Sequence, residues 1–131
     1  MITLNSPSDG DVFQTDESII FSALVTDDDE LSSQLSISWV SDIDGELSTQ
    51  ASDSNGNISF TINNLSANTH TIMLTVTDGT GLTTTNTFSL VINTAPTAPS
   101  VTVSPSVAKT ADNLLVTATG STDADGDAVN Y

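Results

Sequence analysis

The sequence predicts an all-β fold, and three observations carry that prediction. Short runs of alternating apolar and polar residues recur along the 131 residues, separated by clusters of Gly, Asn, Asp and Ser. Ser and Thr together occupy 40 positions, Thr suiting strands and Ser suiting turns. No segment carries the apolar period of an amphipathic helix.

Taken in order, residues 2–5 form a first strand, stopped by Ser6-Pro7, and Asp9-Gly10-Asp11 is a turn. Phe13 falls in a short edge strand. Residues 18–26 place Ile19, Phe21, Ala23 and Val25 on one face, because side chains alternate across a strand. Residues 27–30 are a loop. Residues 35–41 turn Leu35, Ile37 and Trp39 inward and Ser36 and Ser38 outward, and 42–45 is a turn. Residues 58–63 direct Ile58, Phe60 and Ile62 inward, and residues 70–77 do the same with Ile72, Leu74 and Val76. After the turn at 78–81, residues 83–92 contribute Phe88, Leu90 and Ile92. About seven strands in residues 1–93 is the strand count of an immunoglobulin-like antiparallel β-sandwich. Trp39 on the third long strand fits that fold. So does His70, two residues before inward Ile72, where such sandwiches place a corner tyrosine that hydrogen-bonds the preceding loop.

Residues 94–100 read as a proline-containing, semi-rigid linker. The pattern then restarts, with Val101 and Val103 as a new first strand and Leu114, Val116 and Ala118 as a new second one. Asp123-Ala124-Asp125-Gly126-Asp127 is the next loop, and residues 128–131, ending in Tyr131, begin a further strand. This is an internal repeat in truncated form. Residues 101–131 are expected not to close a core of their own. They would then be disordered, pair with the first domain, or pair with another chain through unpaired strand edges.

Composition narrows the function. Seventeen acids, 14 Asp and 3 Glu, face a single base, Lys109, for a net charge of −16. Phosphate contacts need clustered Lys and Arg, so nucleic acid is excluded, and anionic membrane surfaces with it. No apolar run reaches the roughly 18 residues of a membrane span. Met1 leads directly into Ile2-Thr3-Leu4 without the pattern of a signal peptide, so an export address is expected outside these residues. With no cysteine, disulfides, thiolate zinc sites and thiol catalysis are absent.

Residues 1–93 resemble bacterial PKD-type and cadherin-like immunoglobulin-like repeats. The segments that carry this are Phe21-Ser22-Ala23-Leu24-Val25-Thr26-Asp27, Ser38-Trp39-Val40-Ser41-Asp42-Ile43-Asp44-Gly45-Glu46-Leu47, and residues 65–78 from Leu65 to Asp78. Residues 97–131 resemble the first third of another such repeat through Ala118-Thr119-Gly120-Ser121-Thr122-Asp123-Ala124-Asp125-Gly126-Asp127. The PKD pattern Trp-Asp-Phe-Gly-Asp-Gly is replaced here by Trp39-Val40-Ser41-Asp42-Ile43-Asp44-Gly45. The resemblance implies a tandem, non-enzymatic module of a large secreted or cell-surface bacterial protein. Its partners would be neighbouring repeats of the same polypeptide and a cell-surface protein or glycan ligand. The alternatives are a carbohydrate-recognition or accessory module of a secreted hydrolase, and a decoration domain on a phage particle.

Catalysis finds little footing. The one histidine, His70, sits at core parity, and the carboxylates lie in turns. An isopeptide crosslink needs a core lysine, which residues 1–93 lack. Four aromatics, Phe21, Trp39, Phe60 and Phe88, point inward, so no sugar-stacking platform emerges. Calcium is the sharper expectation, since it takes 6–8 oxygens and clustered turn aspartates supply them. Asp123, Asp125 and Asp127 form a D-x-D-x-D run, although Gly126 is misplaced for an EF-hand. In a sandwich, Asp27, Asp29 and Asp78 share the end where the first strand begins. Asp9, Asp11, Asp42 and Asp44 share the opposite end, towards the linker and Asp123, Asp125 and Asp127. A calcium joint between the repeats is one reading. Solvated turn aspartates on a self-repelling, soluble surface are the other.

Overall fold

The computed structural model describes residues 1–130, and the chain divides into two units that meet between Asn93 and Thr94. The first unit contains β1 (Ile2–Ser6), β2 (Asp11–Gln14), β3 (Ile19–Val25), β4 (Ser36–Ser41), β5 (Gly45–Ser48), β6 (Asn57–Ile62), β7 (Asn68–Thr77) and β8 (Thr83–Asn93). One sheet has the order β1-β3-β6 and the other β2-β8-β7-β4-β5. The two form an immunoglobulin-like β-sandwich. A single 3-10 turn, Ser32–Gln34, interrupts the loop before β4.

Period-two alternation decides which face each strand buries. In β3, Ile19, Phe21, Ala23 and Val25 are buried, while Ile20 between them is exposed. In β4, Ile37, Trp39 and Ser41 are buried. Trp39, with no exposed surface, belongs to the five-stranded sheet and meets Phe21 and Phe60 of the three-stranded one edge to face, at ring-centroid distances of 5.7 and 5.5 Å. Phe88 of β8 completes the set at 6.4 Å. Full burial of each such side chain stabilises the fold by about 1.5–3 kcal/mol, and edge-to-face pairing adds to that.

β2 is the short edge strand expected around Phe13, while its parallel pairing and the strand β5 go beyond the sequence reading. β2 pairs with β8 in parallel, Asp11 to Gln14 against Leu90 to Asn93, whereas the other pairings are antiparallel. β1 lies in one sheet and β2 in the other, so the chain must cross between them. It crosses at Pro7, whose missing N–H cannot extend the ladder to β3, and Gly10 then donates to the Ser89 carbonyl at 2.9 Å. β5 carries no alternating apolar residues, and only its pairing with β4 identifies it.

In the second unit, β9 (Ser100–Ser104) and β10 (Leu115–Thr119) form an antiparallel hairpin, with Val101 opposite Ala118 and Val103 opposite Val116. The layout parallels β1 on β3, where Ile2 faces Val25 and Leu4 faces Ala23. The expectation of disorder here is corrected, because the hairpin is held by its own ladder. No residue of 94–130 is buried, however. The segment 94–100, expected as a semi-rigid linker, makes hydrogen bonds within the second unit. Thr97 donates to the Thr122 carbonyl at 2.8 Å, and its hydroxyl accepts the Thr122 N–H at 2.8 Å. Residues 128–130 form no strand, which corrects the expectation for that segment, and Tyr131 lies outside the described residues.

Gly56 separates two effects of a glycine. Its φ is +86°, and an added Cβ would lie 2.1 Å from the Val25 carbonyl oxygen, whereas Gly10 has φ +83° with open space around it. Gly10→Ala is expected to cost about 1–2 kcal/mol, the penalty of the left-handed backbone alone. Gly56→Ala should cost more, about 3 kcal/mol or above, because backbone must also move. Urea unfolding midpoints of the two variants measure the difference.

Candidate functional site

His70 is fully buried at the start of the inward run of β7. Its Nε2 lies 2.7 Å from the Ser66 carbonyl oxygen, which only accepts, so Nε2 carries the proton. In the neutral ring Nδ1 is then the acceptor, and it lies 2.8 Å from the Ser41 hydroxyl, which donates to it. The Ser41 oxygen in turn accepts the Ile43 and Asp44 N–H groups, both at 3.2 Å. Asp44 accepts the Ser66 N–H at 2.9 Å and the Ser66 hydroxyl at 2.6 Å. His70 thus ties the loop before β7 to the turn after β4, the task the sequence assigned to its position. Ser41 was legible as well, since it continues the inward parity of Ile37 and Trp39.

Serine, histidine and aspartate together invite comparison with a hydrolytic triad, and the geometry is wrong for one. A triad places serine and carboxylate on opposite ring nitrogens. Here Asp44 Oδ2 stands 3.9 Å from Nδ1, the nitrogen that Ser41 already occupies. Ser41 and His70 are also closed off, at 1% and 0% exposure.

The aspartates of the first unit act mostly on their own backbone. Asp27 Oδ1 accepts the Asp29 and Glu30 N–H groups at 2.9 and 3.1 Å. Asp78 Oδ1 accepts from Thr80 N–H, Thr80 hydroxyl and Leu82 N–H, each within 2.9 Å. Glu30 reaches across to the Gly79 N–H at 3.0 Å, linking the loop after β3 to the turn after β7. Asp27 and Asp78 line one cavity of about 190 Å³ with Met1, Leu35 and Val76, while Asp29 lies in a neighbouring depression with Asp27 and Asp28. Asp42 accepts the Thr71 N–H, and Asp9 accepts both the N–H and the hydroxyl of Ser89, all at 2.8–2.9 Å. Asp11 accepts the Ser8 N–H at 2.8 Å. Thr71 and Ser89 are ladder partners, so Asp42 and Asp9 bind the two strands at a single rung.

These bonds favour the charged carboxylate. Asp9, Asp42, Asp53 and Asp78 are held below the ordinary value of 3.8 by N–H and hydroxyl donors, first among them those of Ser89, Thr71, Asn57 and Thr80 respectively. For Asp44, partial burial pushes upward, and the two Ser66 bonds prevail to leave it lowered as well.

In the second unit the structure brings Asp123, Asp125 and Asp127 together, each offering a carboxylate oxygen within 4.8 Å of the others. Asp123 Oδ1 accepts the Asp125 and Asp127 N–H groups at 3.1 and 3.3 Å, which curls the loop around its own acids. Asp125 Oδ2 accepts the Thr94 N–H at 2.8 Å. Among the described residues this is the one group of three or more acids or histidines close enough to share a metal ion.

The first unit is a two-sheet all-β sandwich whose histidine and several aspartates hydrogen-bond its own backbone. A family model described as the bacterial Ig domain matches residues 5–91, and the chain belongs to that family. Domains of this kind are generally non-catalytic structural modules, often at the cell surface. No curated protein and no solved structure matches the chain.

Two outcomes follow. Ser41→Ala strips His70 Nδ1 and two N–H groups of their partner, and is expected to cost about 1–3 kcal/mol in denaturant unfolding. The lowered carboxyls contribute stability that is complete at neutral pH and lost as pH falls below about 4, because protonation then favours the unfolded chain. Asn at position 9 retains an acceptor oxygen without the titration. The gap in melting temperature between wild type and Asp9→Asn should therefore close between pH 6 and pH 2.

Proposed function

We propose that this chain is a structural and adhesive repeat of a large secreted or cell-surface bacterial protein, of the PKD or cadherin-like kind, stiffened by calcium at Asp123, Asp125 and Asp127. The convergence of those three carboxylates within 4.8 Å carries the calcium reading. At that spacing each pair of charges repels by roughly 1 kcal/mol even in water. A hard divalent cation removes the repulsion, with backbone carbonyls and water supplying its remaining oxygens. The partners of the module are neighbouring repeats of the same polypeptide and a cell-surface protein or glycan. Family membership and the inward use of polar groups support a mechanical role. Stiffness set by the first unit's core, and by a cation in the second, would hold adhesive surfaces at a distance from the cell.

The test is a titration of the apo chain with calcium, magnesium and ionic-strength-matched sodium chloride, followed by amide NMR shifts. Calcium should give saturable shifts confined to residues 121–128, and Asp127→Asn should weaken them. Equal responses to all three salts would mean screening of the −16 surface and defeat the calcium reading.

A further inference from the structure

The turn that leads into β6 holds the chain's one Asn-Gly pair, Asn55-Gly56. Such a pair can react with itself. Glycine has no Cβ to hinder approach, so its backbone nitrogen can reach the preceding side-chain carbon and close a five-membered ring.

The fold treats the two reactants differently. Asn55 is exposed, and among the described residues its carboxamide makes no hydrogen bond. Gly56 is buried. Its N–H donates to the Asp53 carbonyl at 3.0 Å, and its own carbonyl accepts the Val25 N–H at 2.9 Å. The Asp53 carboxylate also closes the turn, since its Oδ1 accepts the Asn55 and Asn57 N–H groups, both at 2.8 Å. Donors led by Asn57 hold that carboxyl below its ordinary value, so the turn carries a fixed negative charge. The Gly56 nitrogen attacks only after losing its proton. In the native turn that proton is engaged, and the nitrogen anion would form beside a carboxylate.

We infer that Asn55-Gly56 is a self-modification site gated by the fold, closed in the native turn and reactive when the Gly56–Val25 end of the β3–β6 pairing opens. On opening, the Gly56 nitrogen bonds to the Asn55 side-chain carbon. The C–NH2 bond breaks, and ammonia leaves with the proton that the Gly56 nitrogen gives up. Water then opens the ring at one of its two carbonyls. Opening at the side-chain carbonyl leaves an aspartyl residue. Opening at the main-chain carbonyl leaves an isoaspartyl residue, whose backbone runs through Cβ and is one carbon longer. Asp53 grips N–H groups two and four residues ahead, and the longer path cannot satisfy both while Gly56 stays on Val25. A transient opening of this end is thereby recorded in a covalent bond.

Ageing the whole chain at mildly alkaline pH, with peptide mass mapping of position 55, tests this. Deamidation in native buffer should run roughly ten-fold or more below that in strong urea, because the native rate is the unfolded rate multiplied by the open fraction. The same factor should appear as hydrogen-exchange protection of the Gly56 amide, whose proton is held by the same bond. Asp53→Ala should raise the native rate several-fold and leave the rate in urea unchanged. Aged wild type should lose urea midpoint, and aged Asn55→Gln, which cannot close the five-membered ring, should not. Equal rates in buffer and urea overturn the inference, as do a native rate faster than the Gly56 protection allows, a folded Asp53→Ala that deamidates no faster, or isoaspartyl chains with an unchanged midpoint. If Asp53→Ala does not fold, the match between wild-type rate and Gly56 protection decides.

Discussion

Everything in the first unit depends on Trp39 spanning the gap between the sheets. A sandwich is stable only if two inner faces bury each other, and here one indole touches rings from both. Phe21 and Phe60 lie nearly parallel, with an interplanar angle of 8°, and both stand edge to face with the indole, so the three-stranded sheet meets Trp39 as a pair. The strands on either side are held at the separation this cluster requires. Ile19, Val25, Ile58, Ile72, Leu74 and Leu90 then fill the space that remains.

The acidic surface and the ordered turns are one phenomenon. A chain with 14 aspartates and a single cationic side chain has almost no opportunity for ion pairs. Its carboxylates instead bind N–H and hydroxyl groups, within one to four residues in turns for Asp27, Asp53 and Asp78, and on a distant strand or loop for Asp9, Asp42 and Asp44. Asp53 is typical: its oxygens accept from Asn55, Asn57 N–H and the Asn57 side chain. Charge is tolerated because each such carboxylate sits among dipoles oriented towards it.

Much of this was legible in the sequence, for reasons that differ by element. The strands with alternation, β3, β4, β7 and β8, were readable because burial repeats every second residue. β2 and β5 were harder, since a four-residue edge strand is defined by its partner rather than by its own pattern. His70 as a corner residue followed from parity with Ile72. Its partner Ser66 did not, because a loop carbonyl leaves no trace in residue type. The clustering of Asp123, Asp125 and Asp127 followed from spacing, while that of Asp27 with Asp78 needed topology. What spacing hid was that Asp27, Asp42, Asp44 and Asp78 spend their oxygens on nearby N–H and hydroxyl groups. A D-x-D pattern reads alike whether it awaits a cation or caps a turn.

The parallel pairing of β2 with β8 has a mechanical consequence. β2 follows directly from the strand at which the chain enters the first unit, and β8 is the strand by which it leaves. Tension drawn between those two points pulls the paired strands in opposite directions along their common axis. The rungs from Asp11–Leu90 to Gln14–Asn93 are then sheared side by side rather than peeled one after another. Rupture in shear demands that several bonds fail at once, so the strand that carries no central core residue becomes the latch of the module under stretch.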